Sequence, residues 1–324
     1  MNRLVSRHGW VMGLVVMLLV LAALAKLLQA DFGFSGLESL ARAALPFAFA
    51  TAGMAIVIIA GGIDLSIAAV MAVVSVTAAV LMTGTNETEA VLVVVFVLVL
   101  GLAMGALNGA LIVVTRVPDI VVTLAMLFVW QGVALLILNA PGGAAASWLR
   151  SLIVGGTTLP GVSPGLTGWL PKAIVFLIVC VAVIWIPIRR SKLGLMLYSI
   201  GSDRVAAFRS GVPVGWVRIA AYALAGLFAA LGGLAVTMST GIGEPIPGPY
   251  LLASVAAVVL GGVVLGGGRG SILGPILAVF VLRLVRLDLT LLAVDPNVTV
   301  IIEGIIMVVV VMIGAVLMTR TARQ

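Results

Sequence analysis

From residue 10 onward the sequence consists of apolar stretches of bilayer-spanning length, beginning with WVMGLVVMLLVLAALAKLLQ (10–29) and separated by short segments of glycine, proline or charge. No other feature constrains the fold so tightly. About 20 apolar residues wound as a helix cross the hydrocarbon of a bilayer. In lipid the backbone must pair its own N–H and C=O groups, within a helix or around a closed barrel, and barrel strands would alternate apolar and polar side chains, which these runs do not. The chain is therefore expected to be an all-α polytopic membrane protein. Its 63% hydrophobic and 9% charged residues agree, since a soluble core could not hide so much apolar surface.

Breaks in the apolar pattern define ten expected spans, at 10–29, 40–60, 64–82, 91–115, 119–138, 172–188, 216–240, 251–266, 272–292 and 298–318. A cleaved signal peptide is the alternative for the first, given the A-x-A at Ala23 to Ala25, but its apolar stretch is long for one. The cations set the orientation. Arg3, Arg7, Arg116, the cluster Arg189, Arg190, Lys192, Arg204, Arg209 and Arg218, and then Arg269, Arg320 and Arg323 fall on one side of a ten-span chain. The other side receives TGTNETEA (83–90) and GIGEPIPGPY (241–250), which hold no cation. Lys26, Arg42, Arg150 and Lys172 are exceptions. With an even number of spans both termini are expected in the cytoplasm, where loop cations concentrate. The formal charge of +7 thus reads as topology and not as a nucleic-acid surface. Residues 139–171 form a Gly/Pro/Ser-rich external loop and 189–215 a basic cytoplasmic one. With no soluble domain and no linker, 1–324 reads as one transmembrane domain in contact with membrane lipid.

The residue inventory excludes several chemistries. A single cysteine, Cys180, and a single histidine, His8, leave no material for a disulfide, a zinc cluster, a Cys/His nucleophile pair or a Ser-His-Asp triad. No G-x-x-x-x-G-K-[ST] occurs, and LGGGRGS (265–271) lacks the spacing and the lysine that cradle phosphates. No cofactor or metal is expected in this chain, and it is not expected to be an enzyme.

Four features stand out against the apolar background. In RRSKLGLMLYSIGSDRVAAFRSGVPVGWVRIAAY (189–222), Ser202 or Asp203 can cap a short helix through Ala206, Ala207 and Phe208 that Gly211 and Pro213 would stop. A basic loop alone needs no capped helix, so a docking element for a cytoplasmic partner competes with the topology reading. Gly101, Gly105 and Gly109, four apart, form a helix face that admits a close neighbour, and Asn108 beside them faces protein or a cavity. Asp64, Arg283, Arg286, Asp288 and Glu303 are ionisable residues inside spans, each needing a cavity, a partner or the interface. Arg283, Arg286 and Thr290 share one face, and a structural Arg–Glu pair competes with a substrate-lining role. Finally, in AGGIDLS (60–66), Gly61 and Gly62 can end one helix while Asp64 caps the next. That turn should face the cytoplasm yet carries no cation, which suits a turn sunk in protein beside a pathway. Asp64, Asn108, Arg286 and Thr290 are the substrate-pathway candidates. Gly61, Gly62, Gly101, Gly105, Gly109 and Glu303 are the structural ones.

Four blocks in order, TAGMAIVIIAGGIDLSIAAVMAV (51–73), NGALIVVTRVPDIVVTLAM (108–126), LGLMLYSIGSDRVAAFRSGVPVGWVRIAAYALAGLFAALGGL (193–234) and AAVVLGGVVLGGGRGSILGPILA (256–278), resemble the membrane subunits of bacterial ABC importers for ribose, xylose and related monosaccharides. The resemblance runs from about 40 to 318. It implies an inner-membrane permease paired with a second permease subunit, identical or paralogous, with cytoplasmic ATPase subunits that bind ATP and Mg and a periplasmic binding protein that delivers the solute. Gly201, Ser202, Asp203, Ala206, Ala207, Ser210 and Gly211 match the family's G-x-N/D-x-x-A-A-x-x-S-G segment. With Arg204 and Arg209 between them, they are the expected ATPase-coupling residues. The chain departs from the family at VLRLVRLDLTLL (281–292) and at Glu303, where a lysine is common; the opposite signs point to a compensating pair of Glu303 with Arg283 or Arg286. An ion-coupled secondary transporter relaying through Asp64 or Glu303, and a non-transporting partner of a related permease, are the rival readings. The solute stays open among pentoses, hexoses, furanose forms, polyols, a small furanone and nucleosides.

Overall fold

The computed structural model describes residues 2–29, 32–157, 168–246 and 248–321. Residues 158–167 of the external loop, Pro247 and Arg323 lie outside the described residues, as do the side chains of Arg3, Arg7, His8 and Arg320. The helices are α1 Asn2–Leu28, α2 Phe34–Ile59, α3 Ile67–Met82, α4 Glu87–Thr115, α5 Asp119–Ile137, α6 Ser147–Ser151, α7 Lys172–Arg190, α8 Lys192–Ser202, α9 Arg204–Arg209, α10 Val214–Thr240, α11 Tyr250–Leu260, α12 Leu273–Leu291 and α13 Pro296–Thr321. Among the described residues there is no strand, only two isolated bridges in loops. The protein is all-α. Six helices, α1, α2, α4, α5, α7 and α10, are long and apolar enough to cross a membrane.

The expected break at AGGIDLS is present but longer than expected, and one expected span, 251–266, is interrupted. The third helix starts at Ile67, not at 64, and the eighth stops at Leu260, not at 266. Glycines cause both breaks, because Gly61 and Gly262 adopt φ of 78° and 82°, a left-handed conformation that ends a helix and that residues with a Cβ avoid. At 1.5 Å per residue α11 is only about 16 Å long, roughly half a hydrocarbon layer. The second break therefore ends a half-length helix, while the first, with Gly62, Asp64 and Ser66 buried, lies within the protein.

α2 is the axis of the fold. Every residue from Ala44 to Ile59 is buried, so this segment is enclosed all round, by α3, α7, α8, α10, α11 and α12. α10 lies against it and against α4, where the glycine face finds its partner. A Cβ on Gly105 would fall 2.2 Å from the Tyr222 carbonyl oxygen, and one on Gly226 would fall 2.1 Å from that of Gly101. The two backbones touch, as small-residue faces permit.

Helix ends are closed locally. Asn86 and Glu89 form a reciprocal capping box at the start of α4. The external loop is structured where described: α6 follows a segment in which Ala144 and Ala145 donate to the carbonyls of Ala79 and Gly241, and Gly155 N–H donates to Glu38 at 2.8 Å.

Candidate functional site

The first break is built from backbone bonds that close α2: Gly61 N–H donates to Ile58 O and Gly62 N–H to Val57 O. Asp64 follows, almost fully buried. Its Oδ1 accepts Ser66 N–H at 2.9 Å and the Ser66 hydroxyl at 2.6 Å. Asp64 thus braces the turn before α3, bonding the N-cap residue Ser66 itself; this corrects the expectation that it would cap the first helical turn. The bracing extends sideways. Asn108 Nδ2 donates to Ser66 Oγ at 2.7 Å, and Trp130 Nε1 to Asn108 Oδ1 at 3.2 Å, so one polar chain ties α5, α4 and the break together in otherwise apolar surroundings.

The second break, between α11 and α12, mirrors the first in its glycines and meets it directly. Gly268 N–H donates to Ile59 O at 2.8 Å, with Gly267 and Gly268 both at positive φ. Gly201, near the end of α8, fills the remaining space. A Cβ there would stand 1.9 Å from Ile59 O and 2.5 Å from Gly268 N, so only glycine fits. The rejected phosphate loop LGGGRGS is therefore a packing loop, its glycines admitting α8 to the meeting point of two helix breaks.

Next to this junction begins the short helix α9. Asp203 Oδ1 accepts Val205 N–H at 2.8 Å and Ala206 N–H at 2.9 Å, and Gly211, at φ 83°, ends the element. Ser202 is not the cap; its hydroxyl donates to Tyr198 O at 3.0 Å. Ala207 is buried beneath α9, and Ser210 Oγ donates to Ala206 O. Val205 and Phe208 project outward, exposed, as does Arg209. Arg204, also exposed, reaches back to the first break, where its Nη2 donates to Gly61 O at 2.7 Å.

Arg204 also approaches a residue that sequence reasoning passed over. Asp119, at the start of α5, pairs closely with Arg218 through Oδ1, accepts the Tyr222 hydroxyl on Oδ2 at 2.8 Å, and has Arg204 Nη2 at 3.9 Å. Asp119 and Arg218 are 14% and 15% exposed, so this is a largely desolvated pair. Tyr222 Oη also lies 3.3 Å from Ile63 O of the first break. One carboxylate therefore joins α5, α10, α9 and AGGIDLS.

The other pathway candidates lie elsewhere. Arg286 and Thr290 are on α12, where Thr290 Oγ1 donates to Arg286 O, and Glu303 of α13 stands 3.7 Å from Arg286 Nε. Among the described residues no hydrogen bond or ion pair joins this group to Asp64 or Asn108. Nor does any group of three or more His, Cys, Asp and Glu side chains among them stand where it could hold a metal ion.

Residues 36–311 match the family described as branched-chain amino acid transport system / permease component. The chain belongs to this permease family. Among curated relatives, it is 28% identical to the ribose import permease protein RbsC of Escherichia coli (strain K12), over 94% of each chain. It is 30% identical to the "Probable ABC transporter permease protein y4mJ" of Sinorhizobium fredii (strain NBRC 101917 / NGR234), covering 86% of this chain and 81% of that one. It is 27% identical to the autoinducer 2 import system permease protein LsrD of Escherichia coli O9:H4 (strain HS), over 94% and 92%. No solved structure matches. The permease match spans both helix breaks, α8, α9 and Asp119, and begins after α1. A permease moves solute and does no covalent chemistry.

Proposed function

We propose that this permease is the membrane path of an ATP-driven importer for a monosaccharide or related small polar solute. The observation that carries this reading is the seat of α8 and α9 on the two helix breaks: a short capped helix with an exposed apolar tip is rooted, through Gly201 and Arg204, in the carbonyls of Ile59 and Gly61. A force on Phe208 from a closing ATPase would reach the first break through Arg204, one turn away, and the second through Gly201 in the adjoining α8, and a rigid shift of the attached spans would open the path alternately outward and inward. The named relatives support an importer of sugars or of a sugar-like signal. The reading includes ten spans with both termini cytoplasmic, a place in the bacterial inner membrane, a second permease subunit of the same or a paralogous kind, and a periplasmic binding protein.

The test is Phe208→Asp. Phe208 is 71% exposed, so the change leaves the fold intact and places a charge on the proposed contact. Uptake and co-purification of the ATPase should fall at least about tenfold, the loss of one well-seated aromatic anchor, while the permease stays at normal abundance in the membrane. Undiminished uptake would refute the coupling role.

A further inference from the structure

Two clefts meet at the half of α12 remote from the glycine junction. The first, about 230 Å³, opens among α2, α11, α12 and α13 and contains Phe47, Tyr250 and Glu303; the second, about 520 Å³, lies between the end of α1, the start of α2 and α12 and contains Gln29, Ser35, Ser39 and Thr290. Arg283 and Arg286 border both and form the wall between them.

These two cations are poorly neutralised. Arg286 has Glu303 at 3.7 Å, near the limit of an ion pair, and its side chain remains 43% exposed. Arg283 lies with its guanidinium 5.3 Å from the centre of the Phe47 ring and against the Tyr250 hydroxyl; its buried Nε has no hydrogen-bond partner, and Glu303 acts on it only from beyond ion-pair distance. The described lining of the larger cleft contains both guanidiniums, the Gln29 amide and several hydroxyls but no carboxylate, and the first turn of α2 adds the positive end of a helix through Ser35 and Gly36. A guanidinium held away from water gains most from a planar or tetrahedral oxyanion that accepts two parallel N–H bonds. The volume lies within the roughly 300–1,000 Å³ usual for small-ligand sites.

We infer that the Arg283–Arg286 cleft binds an anionic oxo group, a carboxylate or phosphate, borne either by a soluble acid or by a phospholipid headgroup. Glu303 competes for Arg286 and sets the affinity. This site does not depend on the coupling role of α9 and stands or falls separately from it.

The experiment uses the full chain, purified in an uncharged detergent, with the thermal unfolding midpoint followed against rising sodium phosphate, sodium gluconate and dihexanoyl phosphatidylglycerol. Sodium chloride at equal ionic strength, ribose, and dihexanoylglycerol, which lacks the phosphate, are the controls. At least one anion should raise the midpoint saturably where the controls do not. Arg286→Gln should raise the half-saturating concentration at least about tenfold, and Glu303→Gln should lower it; instability alone would displace midpoints without moving the two saturation curves in opposite directions. If Arg286→Gln does not fold, Arg286→Lys, which keeps the charge but loses the fork, should still bind more weakly. A response to gluconate or phosphate assigns a soluble acid, and one to phosphatidylglycerol alone assigns the headgroup. No saturable response beyond the controls, or one unchanged in the Arg286 variant, overturns the inference.

Discussion

Gly201→Ala adds one methyl at the point where two helix breaks and α8 converge. That methyl would sit 1.9 Å from Ile59 O and 2.5 Å from Gly268 N, both backbone atoms with no side-chain freedom to yield. Ordinary contact begins near 3.5 Å, so the carbonyl would have to retreat by about 1.5 Å. The same carbonyl accepts Gly268 N–H at 2.8 Å, and the retreat breaks that bond. Overpacking of this kind costs about 1–3 kcal/mol and the lost hydrogen bond about 1 more, giving a destabilisation of about 2–4 kcal/mol. The assay is unfolding of the purified permease in detergent, alongside uptake by cells carrying the complete transport system. Gly132→Ala, in the middle of α5 with nothing within 4 Å of the added atom, is the matched control and should gain about 0.5–1 kcal/mol. The same chemical change thus has opposite signs at two sites. If both variants unfold alike, or Gly201→Ala transports normally, the close junction does not exist as described.

Asp119→Asn removes the charge facing Arg218 and Arg204 but keeps an acceptor for Tyr222, so it should cost about 3 kcal/mol, the lower end for breaking a desolvated pair. Adding Arg218→Gln should recover part of that loss in a double-mutant cycle, and strict additivity would show that the two do not interact. Asp64→Asn retains an oxygen for the Ser66 N–H and should fold within about 1 kcal/mol of wild type, whereas Asp64→Ala loses both bonds and should cost about 2–3. Normal uptake by Asp64→Asn would confine Asp64 to bracing the turn, and failed uptake with normal folding would give its charge a part in transport.

The long helices were legible because lipid enforces them: apolar runs place α2, α3, α4, α5, α7, α10, α11 and α12 to within about six residues at each end. The small-residue face of α4 and a cap at Ser202 or Asp203 were legible from local spacing alone, and the structure selects Asp203. The glycine junction was not, since nothing in LGGGRGS announces Gly201 as its partner some 65 positions away; a turn's glycines indicate a close approach but not what approaches. The Asp119 hub was missed because arginines at span ends read as topology signals, which explains Arg218 and Arg204 without assigning either a contact. The available clue was Asp119 itself, an acid just inside a span on the face otherwise given over to cations. Helix α8, Lys192–Ser202, is not signalled by the cation pattern that marks its segment as a cytoplasmic loop. Arg286 and Glu303 were expected near each other from opposite signs and shared depth, but the two clefts around them depend on α1, α2 and α11, whose side chains no local pattern connects.

One bond near the start of the chain reaches further than its position implies. Trp10 Nε1 donates to Leu260 O at 2.7 Å, and its indole covers Gly262 so closely that a Cβ there would fall 2.7 Å away. The match to the family model begins only at residue 36. A chain shortened to residue 36 would therefore uncover a carbonyl at the second break and loosen its glycine turn. Fusions and deletions at the amino end are then alterations of the machinery at its centre, made from 250 residues away.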